Sequence, residues 1–490
     1  MARPHSVTVL GASGFTGAWI AVALARALEP RASLVLAGRD PAKLAGVLAR
    51  VRAEAPHAAC SVSVLRADVR DRESLAEMAR STRVVVNAAG PFRFLGEPVV
   101  TACIAGGAHY LDISGEPQFM ELMELEKRTA AAQAGVLVVS SCGFDSIPAD
   151  VGAAHARETL AAAGATAMVV DSFLTVTGGP RGIAAHYATF ESAVHGFGAA
   201  DELRALRRRF KGAHPDVPPL PALPLVGPKP RRRDGLFWDE RTRSYALPFV
   251  GPDETVVRRT LRADVALGRL LGALPVSTGA VTGGDGGGVD TKRVPPLPFA
   301  YSAYMALPSA YAAGLFLVYG TAFQLLASSS FGRRMLLAAP GLFSHGVFSH
   351  AGPSRAQIDG ARFAMTFYSS GYSGAGLDAA SAAAGTGAPP PPPDVHSVTR
   401  VSGPEPGYDA TSRIVAACTL TLLAESSAML DVAAGGCGPG VHAPGCAFER
   451  TALVGRLRTQ GIAVDVVQPP TTASAGAAAS SASQGPGAGP

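Results

Sequence analysis

The sequence has few charged residues, and it lacks the patterns that would assign a nucleic-acid or metal function. Charged residues make up 17 % of its 490 residues, and the net charge is only +5. That charge is too small and too scattered for a nucleic-acid-binding surface, so we expect no nucleic-acid partner. The six cysteines show no CxxC pair and no Cys/His spacing typical of a metal site. We therefore expect reduced thiols in an intracellular protein and no bound metal.

The two ends of the sequence bear on targeting, and no internal repeat is visible between them. The first predicted strand begins near Ser6, which leaves no room for a cleavable signal or transit peptide. The last residues, Gly489-Pro490, match neither a peroxisomal nor an endoplasmic-reticulum retention signal. We therefore expect no cleavable targeting peptide.

Residues 1–150 alternate short apolar runs with helical patterns. The predicted strands are Ser6–Leu10, Ser33–Ala37, Ser61–Arg66, Val84–Asn87, Tyr110–Ile113 and Val136–Ser140. Uninterrupted Val/Leu runs of this kind are typical of parallel strands that helices cover on both faces. The pattern predicts an α/β fold with a doubly wound parallel sheet.

The remainder of the chain predicts a second domain with an α+β fold over residues 151–468. Strands are expected near Arg362–Tyr368 and Val395–Ser402. Composition sets several segments apart. These are a proline-rich linker (212–234), a glycine-rich loop (279–290), an apolar helical insertion (294–332), a low-complexity insertion (374–394) and a tail expected to be disordered (469–490).

The glycine-rich segment between the first strand and the first helix is the most specific motif. It reads Gly-Ala-Ser-Gly-Phe-Thr-Gly over residues 11–17. The N–H groups of such a turn, together with a helix N-terminus, bind a pyrophosphate. The alternative is a tight turn without a ligand, but a GxxGxxG turn in this place favours a Rossmann dinucleotide site. The predicted contacts are Gly11, Ser13, Gly14, Phe15, Thr16 and Gly17.

Arg39 decides which dinucleotide the sequence predicts. An acidic residue at the end of the second strand would bind the ribose hydroxyls, whereas an arginine accommodates the 2′-phosphate of NADP. The chain has Gly38-Arg39-Asp40 there, followed by Pro41. Asp40 before a proline is typical of a helix cap. The sequence therefore predicts NADP (NADPH), with a solvated surface charge as the alternative for Arg39.

Two further turns are candidates for cofactor contact. Asn87-Ala88-Ala89-Gly90-Pro91 follows the fourth strand, and its small residues would let the backbone approach the cofactor. We predict contacts from Asn87, Ala88, Gly90 and Pro91. Asp68 follows the third strand and either lies near the adenine or caps the strand end.

Together these motifs resemble a known family. The residues that carry the resemblance are the 11–17 loop, Ala37–Arg39, Asn87–Phe92, Tyr110–Glu116, Cys142–Asp150, Thr189–Gly196, Val401–Tyr408 and Gly440–Phe448. In this order they are similar to the saccharopine dehydrogenase-like oxidoreductases, a family that includes trans-acting enoyl reductase. The resemblance spans roughly residues 6–460. It implies an N-terminal NADP-binding Rossmann domain and a second α/β domain, and it leaves the substrate open.

No catalytic pair is evident in the sequence. None of the ten tyrosines has a lysine four residues later, which excludes the Tyr-x-x-x-Lys pair of short-chain dehydrogenases. Acid–base groups would follow the later strands of the sheet, and Asp112 and Asp145 are the candidates there. The competing interpretation is that both aspartates hold loop backbone in place. Cys142, His109, His186 and His195 are expected to be structural.

Residues 294–332 contain no charged residue. Within them, Pro308–Ala327 has the length of a membrane span, and Arg333-Arg334 follow. Three interpretations compete for this segment. It could be a buried helix, a monotopic insertion on a membrane or lipid-droplet surface, or a spanning helix.

We therefore expect an NADP-dependent oxidoreductase that acts on a small, lipid-like or otherwise apolar substrate, with enoyl reduction as one option. Its expected location is intracellular, at the cytoplasmic face of a membrane or lipid droplet. The alternative is a non-catalytic NADP(H)-binding scaffold at the same surface. The sequence leaves open whether the protein forms a homodimer.

Overall fold

A computed structural model describes residues 3–213, 232–270 and 297–472. The strands are β1 His5–Leu10, β2 Ser33–Gly38, β3 Ser61–Arg66, β4 Thr82–Asn87, β5 His109–Asp112, β6 Leu137–Val139, β7 Thr166–Thr177, β8 Ala185–His186, β9 Phe237–Asp239, β10 Ser244–Pro248, β11 Ala300–Leu307, β12 Phe348–Ser349, β13 Arg362–Tyr372, β14 Val395–Pro404, β15 Gly440–His442 and β16 Ala463–Thr472.

The helices cover both sheets. They are α1 Phe15–Ala27, α2 Pro41–Glu54, α3 Arg72–Ser81, α4 Phe92–Gly106, α5 Pro117–Gln133, α6 Ile147–Ala162, α7 Tyr187–Gly198, α8 Ala200–Ala213, α9 Asp253–Ala266, α10 Ala310–Ala327, α11 Ser330–Ala338, α12 Pro340–Phe343, α13 Arg355–Gly360, α14 Gly374–Thr386, α15 Thr411–Leu430, α16 Pro444–Phe448 and α17 Leu453–Thr459. A π-helical turn, Pro406–Ala410, precedes α15.

The first sheet is the doubly wound parallel sheet that the sequence predicted. Its seven strands lie in the order β15-β6-β5-β4-β1-β2-β3, and every neighbouring pair is parallel. The strand order reverses between β1 and β4. In open sheets of this kind, ligands bind in the crevice at that reversal, outside the carboxyl ends of the strands.

The second sheet is mixed, in the order β16-β14-β13-β7-β11-β10-β9. The strands expected near 362–368 and 395–402 are present as β13 and β14, which pair antiparallel. Helix α6 packs on this sheet, and its approach is close at Gly152. A Cβ at Gly152 would lie 2.0 Å from Cζ of Phe367. The second half therefore has the α+β character that the sequence predicted.

The structure corrects the expected division at residue 150 in two ways. Residue 150 lies inside α6, a helix that packs on the second sheet, so it cannot mark a boundary between secondary-structure elements. Strand β15 returns to the first sheet and pairs with β6, although it comes from residues 440–442. Helix α15 also packs on α1. The chain thus passes between the two sheets three times, after β6, before β15 and after β15.

Several compositional expectations need correction as well. The first part of the low-complexity insertion 374–394 forms helix α14. Residues 469–472, expected to begin a disordered tail, belong to β16. The glycine-rich loop 279–290, residues 214–231 of the linker and residues 473–490 lie outside the described residues.

The apolar insertion is a strand of the second sheet followed by an exposed helix. Within the described ranges, two helical segments are long and apolar enough to cross a membrane by length and composition. They are α10 and Pro406–Leu430, and half of the latter is buried in the protein. Only 11 % of α10 is buried, at Ala313 and Ala327. The interpretation of this segment as a buried helix is therefore wrong for α10.

Candidate cofactor site

The glycine loop is shaped by contacts that only glycine permits. Gly11 has φ +79°, and a Cβ there would lie 2.9 Å from the carbonyl carbon of Ala88. A Cβ at Gly17 would lie 2.2 Å from the Gly11 carbonyl oxygen. The loop is thereby pressed against the segment after β4 on one side and against its own helix on the other.

The N-terminus of α1 fits a pyrophosphate. Gly14 is the N-cap and supplies no side-chain cap, while its own N–H donates to the Gly11 carbonyl at 2.9 Å. The following N–H groups of Phe15, Thr16 and Gly17 have no acceptor within the helix. Backbone N–H groups at an uncapped helix N-terminus suit an anion. These residues would hold the pyrophosphate of a dinucleotide.

Arg39 lies next to this loop, at the end of β2, and its side chain is exposed. A Cβ at the preceding Gly38 would lie 3.5 Å from the Ser13 hydroxyl oxygen, so the two turns are neighbours. Asp40 caps α2, accepting the N–H groups of Ala42 and Lys43 at 3.0 and 3.2 Å. The carboxylate at this strand end is thus held by backbone, and the Arg39 side chain beside it is exposed.

Asn87 shapes the second turn from a fully buried position. Its amide nitrogen donates to the Tyr110 hydroxyl at 3.1 Å, and its amide oxygen accepts the Ala89 N–H at 3.0 Å. The Ala88 N–H donates to the Leu10 carbonyl at 2.8 Å. The structure thus makes Asn87 a loop-shaping residue, while Ala88 and Pro91 are half-buried and Gly90 is exposed. Asp68 accepts the Arg70 N–H at 3.0 Å, which is the local cap that its position suggested.

The structure also reveals a cap that the sequence did not predict. The N-cap of α4 is Pro91, which has no side-chain hydrogen bond to give. Glu116 takes that place, accepting the N–H groups of Phe92 and Arg93 at 2.9 and 3.0 Å. The signal in the sequence was a helix beginning after proline without Ser, Thr, Asp or Asn at its N-cap.

The second half of the chain contacts the glycine loop directly. The Phe15 ring stacks on His186 with 5.1 Å between centroids and meets Tyr408 edge-on at 4.7 Å. The His186 N–H donates to the Tyr408 hydroxyl at 2.6 Å. A Cβ at Gly352 would lie 2.8 Å from the Phe15 ring. Three separate segments, which contain His186, Gly352 and Tyr408, therefore pack against Phe15.

Comparison with known proteins agrees with this geometry. A family model described as the saccharopine dehydrogenase NADP-binding domain matches residues 7–139. The human saccharopine dehydrogenase-like oxidoreductase is 37 % identical over 472 residues, covering 95 % of this chain and 98 % of the human protein. The chain belongs to the saccharopine dehydrogenase-like oxidoreductase family. It binds NADP(H), as the sequence predicted.

Two other relatives carry informative names. A Caenorhabditis elegans protein named as lipid droplet localized is 29 % identical over 467 residues, which cover 94 % of this chain and 97 % of that protein. A Mycobacterium tuberculosis protein named as a trans-acting enoyl reductase is 33 % identical over 268 residues. That match covers 53 % of this chain and 61 % of the mycobacterial protein.

Asp112, one of the two acid–base candidates in this family member, is fully buried. Its Oδ1 accepts the N–H groups of Ser114 and Ser141 at 2.9 and 2.8 Å. Burial raises the pKa of Asp112 to about 6, although these two hydrogen bonds oppose the shift. Its Oδ2 is buried without a hydrogen-bond partner among the described residues. Ser141 is held at φ +67°, so the geometry favours a loop-holding role.

Asp145, the other candidate, has a different environment. It is half-buried in the turn before α6, and the described residues give its carboxylate no hydrogen bond. Burial raises the pKa of Asp145 to about 6. A Cβ at Gly115 would lie 3.7 Å from its Oδ2. The carboxyl group therefore stands beside the segment that follows β5, at the carboxyl edge of the sheet.

The remaining candidates have structural surroundings. Cys142 is fully buried, and burial raises the pKa of its thiol well above the usual value, which disfavours the thiolate that a nucleophile needs. His109 accepts the Leu137 N–H at 3.1 Å, and burial lowers its pKa to about 4. His186 is the N-cap of α7 and contacts Phe15, and His195 lies in the last turn of α7 and contacts Phe94.

Proposed function

We propose that the protein is an NADP-dependent oxidoreductase that acts on a lipid-like or otherwise apolar substrate at a membrane or lipid-droplet surface. The observation that carries this proposal is an uncapped α1 N-terminus behind a glycine cradle, in a chain that also exposes a long apolar helix. The name of the mycobacterial relative makes enoyl reduction the first reaction to test.

The cofactor contacts we propose are Gly11, Ser13, Gly14, Phe15, Thr16, Gly17, Arg39, Ala88, Gly90 and Pro91, with Asn87 shaping the turn that carries the last three. When bound, NADPH supplies the hydride. Of the two aspartates, Asp145 is the better proton donor, because it is partly accessible and its carboxyl group makes no competing hydrogen bond with the described residues. Asp112 is assigned to holding the loops of Ser114 and Ser141.

The lipid contact is assigned to a surface that we call the apolar platform. It consists of helices α10, α11 and α12, whose exposed apolar side chains are Tyr311, Leu317, Val318, Leu325, Phe331, Met335 and Leu342. Tyr311, Val318 and Leu325 are spaced by seven residues, so they share one stripe of α10. A contiguous apolar surface of this kind on a protein indicates an interaction site.

Geometry and charge favour a lipid surface as its occupant, and they favour lying on it over spanning it. The opposite side of α10 packs on α7, where Phe323 meets Phe190 and Phe197 with centroids 5.6 and 5.3 Å apart. Between Asp290 and Asp359 the sequence has no acidic residue, and Arg334 is exposed in α11. An uncharged, half-packed apolar helix followed by an exposed arginine suits the interface of a membrane with anionic lipids. The name of the nematode relative adds support.

A specific observation also favours the alternative, a NADP(H)-binding scaffold without turnover. Three of the polar side chains at or just after the ends of β4 and β5 accept hydrogen bonds from backbone N–H groups: Asn87, Asp112 and Glu116. That leaves Asp145 with little support from neighbouring groups. The scaffold predicts tight cofactor binding and no consumption of it.

The two functions separate in one assay. Purified protein is incubated with NADPH and vesicles that contain enoyl-lipids or long-chain ketones, and the loss of NADPH absorbance is followed. The oxidoreductase predicts substrate-dependent loss. NADPH binding without loss on any substrate supports the scaffold and overturns the enzyme proposal. If the apolar platform instead joined two copies of the chain, the unmodified protein would have the mass of a dimer. Variants with a polar platform would then have the mass of a monomer.

A further inference from the structure

Two helix N-termini meet at the crevice of the first sheet. Helix α1 begins after the glycine loop, and α4 begins directly after the Asn87–Pro91 turn. The two turns touch, since a Cβ at Gly11 would lie 2.9 Å from the Ala89 nitrogen. Both N-termini carry the partial positive charge that attracts phosphates. A diphosphate therefore has two competing positions at this edge of the sheet.

Glu116 removes that ambiguity. Its two carboxylate oxygens accept one N–H each, from Phe92 at 2.9 Å and from Arg93 at 3.0 Å. The carboxylate thus occupies the N-terminus of α4 as an internal anion, while the N-terminus of α1 has no side-chain cap.

Glu116 is itself held from two sides. Its N–H donates to the Ser114 hydroxyl at 3.2 Å, and the Ser192 hydroxyl of α7 donates to Oε1 at 3.2 Å. Its side chain is 7 % exposed, so the charge is shielded from water. Hydrogen bonds to a buried charged group are stronger than those between neutral groups.

We propose that Glu116 is a positioning residue for the nicotinamide side of NADP(H). It fixes the Asn87–Pro91 turn by holding the first N–H groups of α4, and it reserves the pyrophosphate for α1. This inference rests on the cofactor placement under the proposed function. Without Glu116, the turn must be ordered on binding, which weakens affinity for the whole dinucleotide. The adenosine side, at Arg39 and Ser13, keeps its contacts.

The test compares two ligands by isothermal titration calorimetry. NADPH spans both sides, whereas adenosine 2′,5′-bisphosphate reaches only the adenosine side. Glu116→Ala should weaken NADPH binding about tenfold, the size expected for lost hydrogen bonds to a charged group. Adenosine 2′,5′-bisphosphate should bind within about twofold of the unmodified protein, since the groups that hold it are untouched. Glu116→Gln keeps one acceptor oxygen, so its loss of NADPH affinity should be intermediate. This variant replaces Glu116→Ala in the test if Glu116→Ala does not fold.

Glu97→Gln is the matched control, because Glu97 is an acidic residue of α4, the helix that Glu116 caps, and pairs with Lys127 at 2.6 Å. It should change neither affinity. Unchanged NADPH affinity in both Glu116 variants, or equal losses for the two ligands, would overturn the inference. Failure of the unmodified protein to bind adenosine 2′,5′-bisphosphate would instead contradict the placement of the 2′-phosphate at Arg39.

Discussion

Phe15 stacks on His186 with 5.1 Å between their ring centroids. Phe15 is the first residue of α1, directly after the glycine loop, and His186 comes from the second half of the chain. Both halves of the chain therefore contribute side chains next to the glycine loop. It also explains the small residue at Gly352, where a side chain would collide with the Phe15 ring.

The preference for NADPH over NADH is predicted to depend on Arg39. Arg39→Ala removes the guanidinium that would pair with the 2′-phosphate, so NADPH affinity should fall by about tenfold to a hundredfold. NADH lacks that phosphate and should bind as before. Fluorescence titration with both cofactors measures the two affinities.

Arg52→Ala is the control for this prediction, since it removes an exposed arginine from the last turn of α2, the helix that follows Arg39. It should leave both affinities unchanged. Equal losses for NADPH and NADH in Arg39→Ala would contradict the role assigned to Arg39.

Asp112 is predicted to matter for stability. Asp112→Ala leaves the N–H groups of Ser114 and Ser141 buried without an acceptor, which should cost about 2 to 4 kcal/mol in the free energy of unfolding. Asp112→Asn keeps an acceptor oxygen and removes a buried charge, so at pH 8 it should be much less destabilising. Urea unfolding of the three proteins measures the difference. Equal destabilisation by both substitutions would count against this role.

Asp145 is predicted to be protonated well above the usual pH for an aspartate. Its folded-state pKa is raised from 3.8 to about 6, so the folded protein binds a proton that the unfolded chain has released. The stability contribution of Asp145 should therefore decline as pH rises from about 4 to about 6. Infrared difference spectra of the unmodified protein and Asp145→Asn should contain a carboxyl band that titrates near pH 6. A band that titrates near pH 4 would rule out Asp145 as the proton donor at neutral pH.

The apolar platform is predicted to hold the protein on lipid. Leu325→Ser with Phe331→Ser removes two exposed apolar side chains, so affinity for vesicles of phosphatidylcholine and phosphatidylserine should fall at least about tenfold. Flotation on a density gradient measures the bound fraction. Val250→Ser with Val432→Ser changes two equally exposed valines elsewhere and should not alter binding. Identical flotation of both double variants would contradict the assignment.

The sequence predicted the parts of the molecule that local signals determine. The strand-loop-helix pattern around Gly11–Gly17, the cap at Asp40 and the Arg39 position are all short-range features, and the structure has them as expected. Strand β15 was not predicted, because three residues from 440–442 carry no recognisable pattern and join the sheet by a long-range pairing. The Glu116 cap and the Phe15–His186 stack are likewise contacts between distant segments. Composition alone also could not distinguish an exposed α10 from a buried one.

The most direct test of the proposed oxidoreductase activity follows the transferred hydride. The protein is incubated with NADPH that carries deuterium at the transferable position, together with vesicles made from a cellular lipid extract, and the lipids are analysed by mass spectrometry. An oxidoreductase acting on an apolar substrate predicts a lipid that gains one deuterium, and Asp145→Asn should reduce its amount by at least about a hundredfold. If no lipid gains deuterium although NADPH binds, the protein is a cofactor-binding scaffold and the proposed activity is wrong.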